Sequence, residues 1–456
     1  LTHLIDQRCC DSRPPTQPSL AAVIVSSLAL GWACLVPAPA VRAQIVYANP
    51  IPNEVKTSPN AITAGQLALI SSYVDAEIAN LKTGKLENEK AARKALEDGA
   101  MSAGDTHASG SYLAAYASVL DQKLAPLASA NQPLPVRLNA AIALAHVAAR
   151  ANNGLLRNSA IAFTLDNSEP VALWGVKAGR YLVPRLLDTG QSAPLDTAII
   201  NAVARFKNDS SIVEDAYEGF TSDLIVAGPA SAEAPPATRA PLAIDPLVKL
   251  MEMRAALYAA AVTAPAVGDG PDLPAEPQAD NRGFSFISQP DVWRAAKPDQ
   301  RARMCRAGTQ LIDQIIPLVD PTPARTPNVD PPELLRRDDL IAVINQAGSA
   351  YKVIGTLTNE GAGGPIATAA DMLTAAKVNA QTPGTTIKEG LSALEAALTA
   401  ANLLGPAKPL PALPAKPVAP VRVLPTTVPT RAGTTAPASR PAGTPTASGA
   451  PVGGAR

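Results

Sequence analysis

Apolar residues recur at three- and four-residue steps along most of this chain, and alternate at two-residue steps almost nowhere. The clearest run is 134–150, LPVRLNAAIALAHVAAR, in which Val136, Ala140, Ala141, Leu144 and Val147 share one helix face. Pro135 suits a first turn, where a missing amide costs no helical bond. Arg150 lies in the last turn, where a cation complements the unpaired carbonyls, and Asn153-Gly154 supplies residues that tolerate left-handed backbone just beyond. A helix with such a face cannot bury it alone, so the run implies stacked neighbours.

Similar spacing predicts helices on both sides. Thr63 is a plausible N-cap for a helix whose stripe is Leu67, Ile70, Val74, Ile78 and Leu81, with Gly84 ending it. Residues 86–97 read as a charged, solvated helix in which Glu89 and Arg93, four apart with the acid first, form a surface pair. The segment 99–110 is a small-residue linker, and 111–128 is a further helical pattern. Two Pro-rich breaks, 228–241 (GPASAEAPPATRAP) and 265–283, flank a helix at 244–262. The second break is too polar to bury and reads as an exposed loop. Helical patterning resumes at 300–318, 331–353, 371–380 and 386–404, as a bundle or as more of the preceding array. The fold class is therefore all-α, in blocks 63–227 and 284–404 separated by 228–283 and preceded by an extended stretch, 44–62.

The run Val136, Arg137, Ala140, Ala141, Leu144 resembles the core signature of HEAT-type helical repeats, and the helix before it completes one helix-turn-helix unit. A second unit at 169–187 keeps Val171, Trp174, Ala178 and Leu182 on one face, but Ala172 stands in place of the Arg, and Gly175 and Val176 in place of the Ala pair. A third, LDTAIINAVARF from Leu195, is looser. The resemblance covers roughly 109–220 and implies helical hairpins stacked into a solenoid that offers a surface to a protein partner. An irregular helical bundle is the alternative.

Composition adds three things. Lys and Arg balance Asp and Glu at 39 each, so no global field favours nucleic acid, and none is expected as a partner. Aromatics are only 4% of the chain, which suits thin helix-on-helix packing. Arg8 and Arg13 precede an apolar run at 20–36, and Val41-Arg42-Ala43 follows as a cleavage site, so 1–43 reads as a signal peptide removed before Gln44. The expectation is an exported protein, periplasmic, envelope-bound or extracellular, with no membrane span once the signal is gone. Residues 405–456 carry Pro, Ala, Thr and Gly without periodicity, and their only charges are cations, among them Lys408, Lys416 and Arg422. This predicts a disordered basic tail able to contact an anionic envelope weakly.

Signatures for chemistry are missing. There is no HExxH, no CxxC and no Gly-x-Ser-x-Gly elbow, so no catalytic, metal or cofactor residue is assigned. His146 reads as a helix-surface histidine, and Cys305 as a small residue packed inside. Gly361 to Gly364 read as a helix connector, and Asp272, Glu276 and Asp280 as exposed loop acids. Asn208-Asp209-Ser210 matches a glycosylation acceptor. The leading functional reading is a non-catalytic exported scaffold or protein-binding module. The alternatives are an exported all-helical hydrolase with dispersed catalytic residues, and an envelope-associated structural protein.

Overall fold

The computed structural model describes residues 49–102, 107–222, 239–263, 273–319, 331–358, 364–375 and 384–414. Within these residues the regular structure is all helical. The expected signal segment and residues 415–456 of the tail lie outside the described residues.

After a short helix α1 (Asn53–Thr57), four hairpins follow: α2 (Ala64–Leu81) with α3 (Leu86–Gly99), α4 (Gly110–Leu124) with α5 (Leu134–Ala151), α6 (Arg157–Thr164) with α7 (Glu169–Asp188), and α8 (Ala193–Arg205) with α9 (Ser210–Thr221). Each hairpin packs its two helices together, and every second helix also meets the next of its kind. The result is two layers, α2–α4–α6–α8 and α3–α5–α7–α9. The order continues through α10 (Ala240–Thr263), α11 (Asp280–Ile287), α12 (Pro290–Ala295), α13 (Pro298–Val319), α14 (Pro331–Leu357), α15 (Pro365–Ala375) and α16 (Gly384–Ala400). Helices α8, α10, α13 and α16 adjoin in one layer, and α9, α11, α14 and α15 in the other. The C-terminal helices thus pack on the end of the preceding layers.

Local chemistry explains where helices start and stop. Thr63 and Gln66 form a capping box on α2: the Thr63 side chain accepts from the Gln66 amide, and the Gln66 side chain accepts from the Thr63 amide. Gly84, at φ 70°, supplies the turn into α3. Asp121 of α4 caps its neighbour α6, accepting from the Ser159 amide at 2.7 Å and from Asn158 Nδ2 at 2.9 Å. Helix α5 ends at Asn152, whose φ of 48° makes it the left-handed residue. Sequence places that role one position later, but Asn153 is extended and caps the next turn, accepting from the Leu155 amide.

The predicted face of α5 is the real one: Val136, Ala140, Ala141, Leu144 and Val147 are all buried. Its Arg137 reaches out of the hairpin to the buried Asp166 that follows α6. The departure of α7 from the Ala pair also has a reason. A Cβ at Gly175 would lie 2.4 Å from the Thr164 backbone nitrogen, so α7 lies against the end of α6 with no room for a methyl group.

Four expectations are corrected. Leu67 is exposed, so the α2 stripe begins at Ile70. Arg93 pairs with Glu97, 3.6 Å away, instead of Glu89; Glu89 is buried and accepts from Asn139 of α5. The segment 277–283 is not an exposed loop, because α11 begins at Asp280 and Pro277, Ala279, Asp280 and Gly283 are buried. Gly405 and Lys408, assigned by composition to the tail, are hydrogen-bonded to α13 through their carbonyls, and Leu410 packs against the core.

The correction at 277–283 has its cause in a buried partner that sequence pattern does not display. Asp280 is fully buried because Arg254 of α10 meets it with two bonds of 3.0 Å. Tyr217 of α9 donates to it at 2.6 Å and Tyr258 of α10 at 2.7 Å. This cluster ties α9, α10 and α11 together.

Candidate functional site

The second layer carries an open cleft across α5, α7 and α9, with a volume of about 300 Å³. His146 and Ala149 come from α5, Trp174, Lys177 and Tyr181 from α7, and Ser211, Glu214 and Asp215 from α9. Positions 174, 177 and 181 fall on one stripe of α7 by helical spacing. Val171, Ala178 and Leu182 are buried as the sequence pattern requires, but Trp174 is only half-buried and Tyr181 is exposed. The sequence reading put Trp174 on the core face. Its position belongs to a second stripe, polar and aromatic, that flanks the first.

Several side chains of the cleft are held from behind. His146 Nδ1 lies 2.9 Å from Glu97 Oε2 on α3, and its ring meets Trp174 edge-on with centroids 5.6 Å apart. The Lys177 ammonium sits 4.7 Å from the Trp174 ring centroid, where the ring face attracts a cation. Arg180 donates to Asp215 at 3.1 Å and pairs with Glu218, which fixes α7 against α9. The helices are very close there: a Cβ at Gly219 would lie 3.1 Å from Arg180 Cα. Burial pushes the Asp215 carboxyl above its ordinary value, while the Arg180 hydrogen bond and the Lys177 charge pull it back. Lys177 itself has no carboxylate within ion-pair distance among the described residues, and Ser211 and Glu214 have no hydrogen-bond partner there.

His146 with Glu97 behind it has the form of a base and its orienting acid. A nucleophile would have to be hydrogen-bonded to the other ring nitrogen, and none of the described residues is. Ser211 lines the same cleft, but α7 stands between α5 and α9, and each helix-to-helix step is about 8–10 Å.

Several other sequence candidates take structural places, while Asn208 of the glycosylation match is exposed. Cys305 is fully buried, and burial pushes its thiol up to about 12, which keeps it protonated and inert. Asp280 belongs to the buried cluster and not to a loop of exposed acids; Asp272 lies outside the described residues. Gly364 leads into α15, where its carbonyl accepts from the Thr368 amide at 2.9 Å; Gly361 to Gly363 lie outside. Asp209 caps α9 by accepting from the Ile212 amide at 3.1 Å. Among the described residues no three His, Cys, Asp or Glu side chains are grouped to hold a metal, and no helix is long and apolar enough to cross a membrane. No protein-family model matches the chain, and no curated protein sequence matches it either.

Proposed function

We propose that this chain is an exported, non-catalytic scaffold of stacked helical hairpins, and that it docks a partner protein at the α5–α7–α9 cleft. One observation carries the reading: Trp174, Lys177 and Tyr181 form an accessible aromatic and cationic stripe whose ammonium has no carboxylate within ion-pair distance among the described residues. Aromatic side chains at the centre of a shallow surface supply much of a protein interface's binding energy. A cation beside them that is outside any direct ion pair favours an acidic residue in the partner. Kinship with HEAT-type repeats is part of this proposal, supported by the signature of α5 and by the alternating packing of hairpins. Export rests on the segment before Gln44. Weak contact of the basic residues beyond 405 with an anionic envelope is a secondary element, and it should weaken as salt rises.

The test is site-specific photo-crosslinking from Tyr181 in cells that express the full chain. A discrete protein adduct is expected, and it should be lost with Trp174→Ala or Lys177→Glu. It should persist with a control substitution at exposed Leu242, outside the cleft. Absence of any adduct counts against the reading. The hydrolase alternative draws on the His146–Glu97 pair. Ester, peptide or glycoside turnover by the purified chain that vanishes with His146→Ala would establish it in place of the scaffold.

A further inference from the structure

At His146 the hydrogen-bonding sense of the α5–α7–α9 cleft can reverse. Its Nδ1 lies 2.9 Å from Glu97 Oε2. An ionised carboxylate only accepts, so the proton of the neutral ring sits on Nδ1 and the lone pair on Nε2. In that form His146 offers a partner an acceptor. With one more proton the same Nε2 becomes a donor on a positive ring, while Nδ1 keeps its bond to Glu97. The ring need not move, because Glu97 is the acceptor in both states.

The surroundings favour the charged form. Glu97 is not spent on its other neighbour: Arg93 Nε lies 3.6 Å from Glu97 Oε1, and neither buried atom has a hydrogen-bond partner. Carboxylate charge therefore remains for the imidazolium. The His146 side chain is 42% exposed, so the charged ring keeps much of its hydration. It meets the edge or face of Trp174, a ring that already attracts the Lys177 ammonium. Lys177 opposes the proton, as does Arg150 one turn on, which donates to the Glu97 carbonyl at 3.2 Å. Arg180 of α7 is matched by Asp215 and Glu218. From the far wall α9 presents Glu214 and Asp215. No titratable group of α2, α4 or α6, which also pack on α5, lines the cleft.

We infer, resting on the docking reading above, that His146 and Lys177 together recognise a carboxylate of the partner beside Trp174, and that the proton on His146 strengthens the docking. The ligand is an Asp or Glu side chain in a short apolar segment. Both cations border one indole ring, so one such segment reaches both. Neutral Nε2 repels a carboxylate oxygen with its lone pair; protonated Nε2 donates to it. Coupling of this kind is reciprocal: the bound carboxylate favours the proton as the proton favours the carboxylate.

Two peptides test this on the full chain, acetyl-Leu-Glu-Leu amide and its glutamine counterpart. Binding is followed through the Trp174 indole N–H resonance, assigned by its loss in Trp174→Phe. Histidine is the side chain whose unperturbed charge change falls between about pH 5 and 8, so titrations are run near those two limits. The glutamate peptide should bind about three- to fivefold more tightly at the lower pH, the range of an exposed ion pair. The glutamine peptide should show no such change. His146→Gln should abolish the pH dependence. Glu97→Gln should move the rise in affinity to lower pH, because the imidazolium loses its counter-charge. Asp215 is the competing site for the proton, since burial holds its carboxyl above the ordinary value. Asp215→Asn should keep the pH dependence.

Equal affinity of the glutamate peptide at the two pH values overturns the inference and leaves the docking reading standing. So does pH dependence that survives His146→Gln or vanishes with Asp215→Asn, since the proton then sits elsewhere. No shift of the Trp174 resonance with the glutamate peptide at either pH overturns the inference together with the acidic-partner reading.

Discussion

Two charged clusters less than a hundred residues apart in sequence have opposite fates. In the first, Arg254, Asp280, Tyr217 and Tyr258 are buried to the last atom, and both Asp280 oxygens accept two hydrogen bonds. In the second, around Trp174 and Lys177, the backing groups are tied down while the ammonium, the Ser211 hydroxyl and the Glu214 carboxylate stay open to solvent. A buried charge must satisfy itself within the protein, since water cannot help it. Asp280 is satisfied on both oxygens, and of the Arg254 guanidinium only Nη1 is left without a partner, sealed from solvent. A half-exposed charge need not be satisfied internally, so it can be held ready for a partner. The first cluster therefore joins helices, and the second is where recognition can occur.

The largest expected effect breaks the closed cluster. Asp280→Ala leaves the Arg254 guanidinium buried without its counter-charge, and should cost about 3–5 kcal/mol in urea unfolding. A loss below about 1 kcal/mol would mean that water enters the site and that burial is not what keeps it closed.

Next is Asp196 at the start of α8, which sharpens the contrast because it is buried without a matching cation in contact. Burial raises its carboxyl from 3.8 to about 6, although the Ser192 hydroxyl and the Lys249 charge oppose the shift. Between those two values the native state holds a proton that the unfolded chain has released. Stability from this group is thus complete below pH 3.8 and falls as pH rises to about 6. Asp196→Asn should stabilise the fold by roughly 2–3 kcal/mol at pH 7.5 and by nearly nothing at pH 3.5. An equal effect at both pH values would show that ionisation is not the cause.

Within the closed cluster, Tyr217→Phe removes one donor to Asp280 but leaves the ion pair intact. About 1.5 kcal/mol should be lost, the worth of a hydrogen bond to a charged group. Combined with Asp280→Ala it should add little, because the hydroxyl has then lost its acceptor; full additivity would separate the two residues energetically.

The smallest effect is expected in the cleft. Lys177→Ala should change unfolding free energy by less than about 0.5 kcal/mol, the range of surface positions. A larger loss would make the Lys177–Trp174 contact part of the fold and weaken the case that the cleft is kept for a partner.

The sequence by itself determined the helices. Thr63, Asp209 and the α5 face act within one or two turns, so the residues that define them are close along the chain and readable together. It also determined the register of hairpin stacking around Val136, Ala140 and Leu144, because small residues at helical spacing leave only one side for close approach. Only the tertiary structure decided which polar groups meet. His146 and Glu97 lie 2.9 Å apart but belong to different hairpins. Arg254 and Asp280 are separated by a segment whose composition reads as exposed loop. Trp174 could face the core or the solvent by pattern alone, and the packing of α7 against the end of α6 at Gly175 set its rotation. The proline-rich run after 404 reads as free chain because it has no period, yet Arg306 and Gln310 on α13 supply its partners. Hydrophobic period is a property of neighbours in sequence, whereas pairing of charges and carbonyls is a property of neighbours in space.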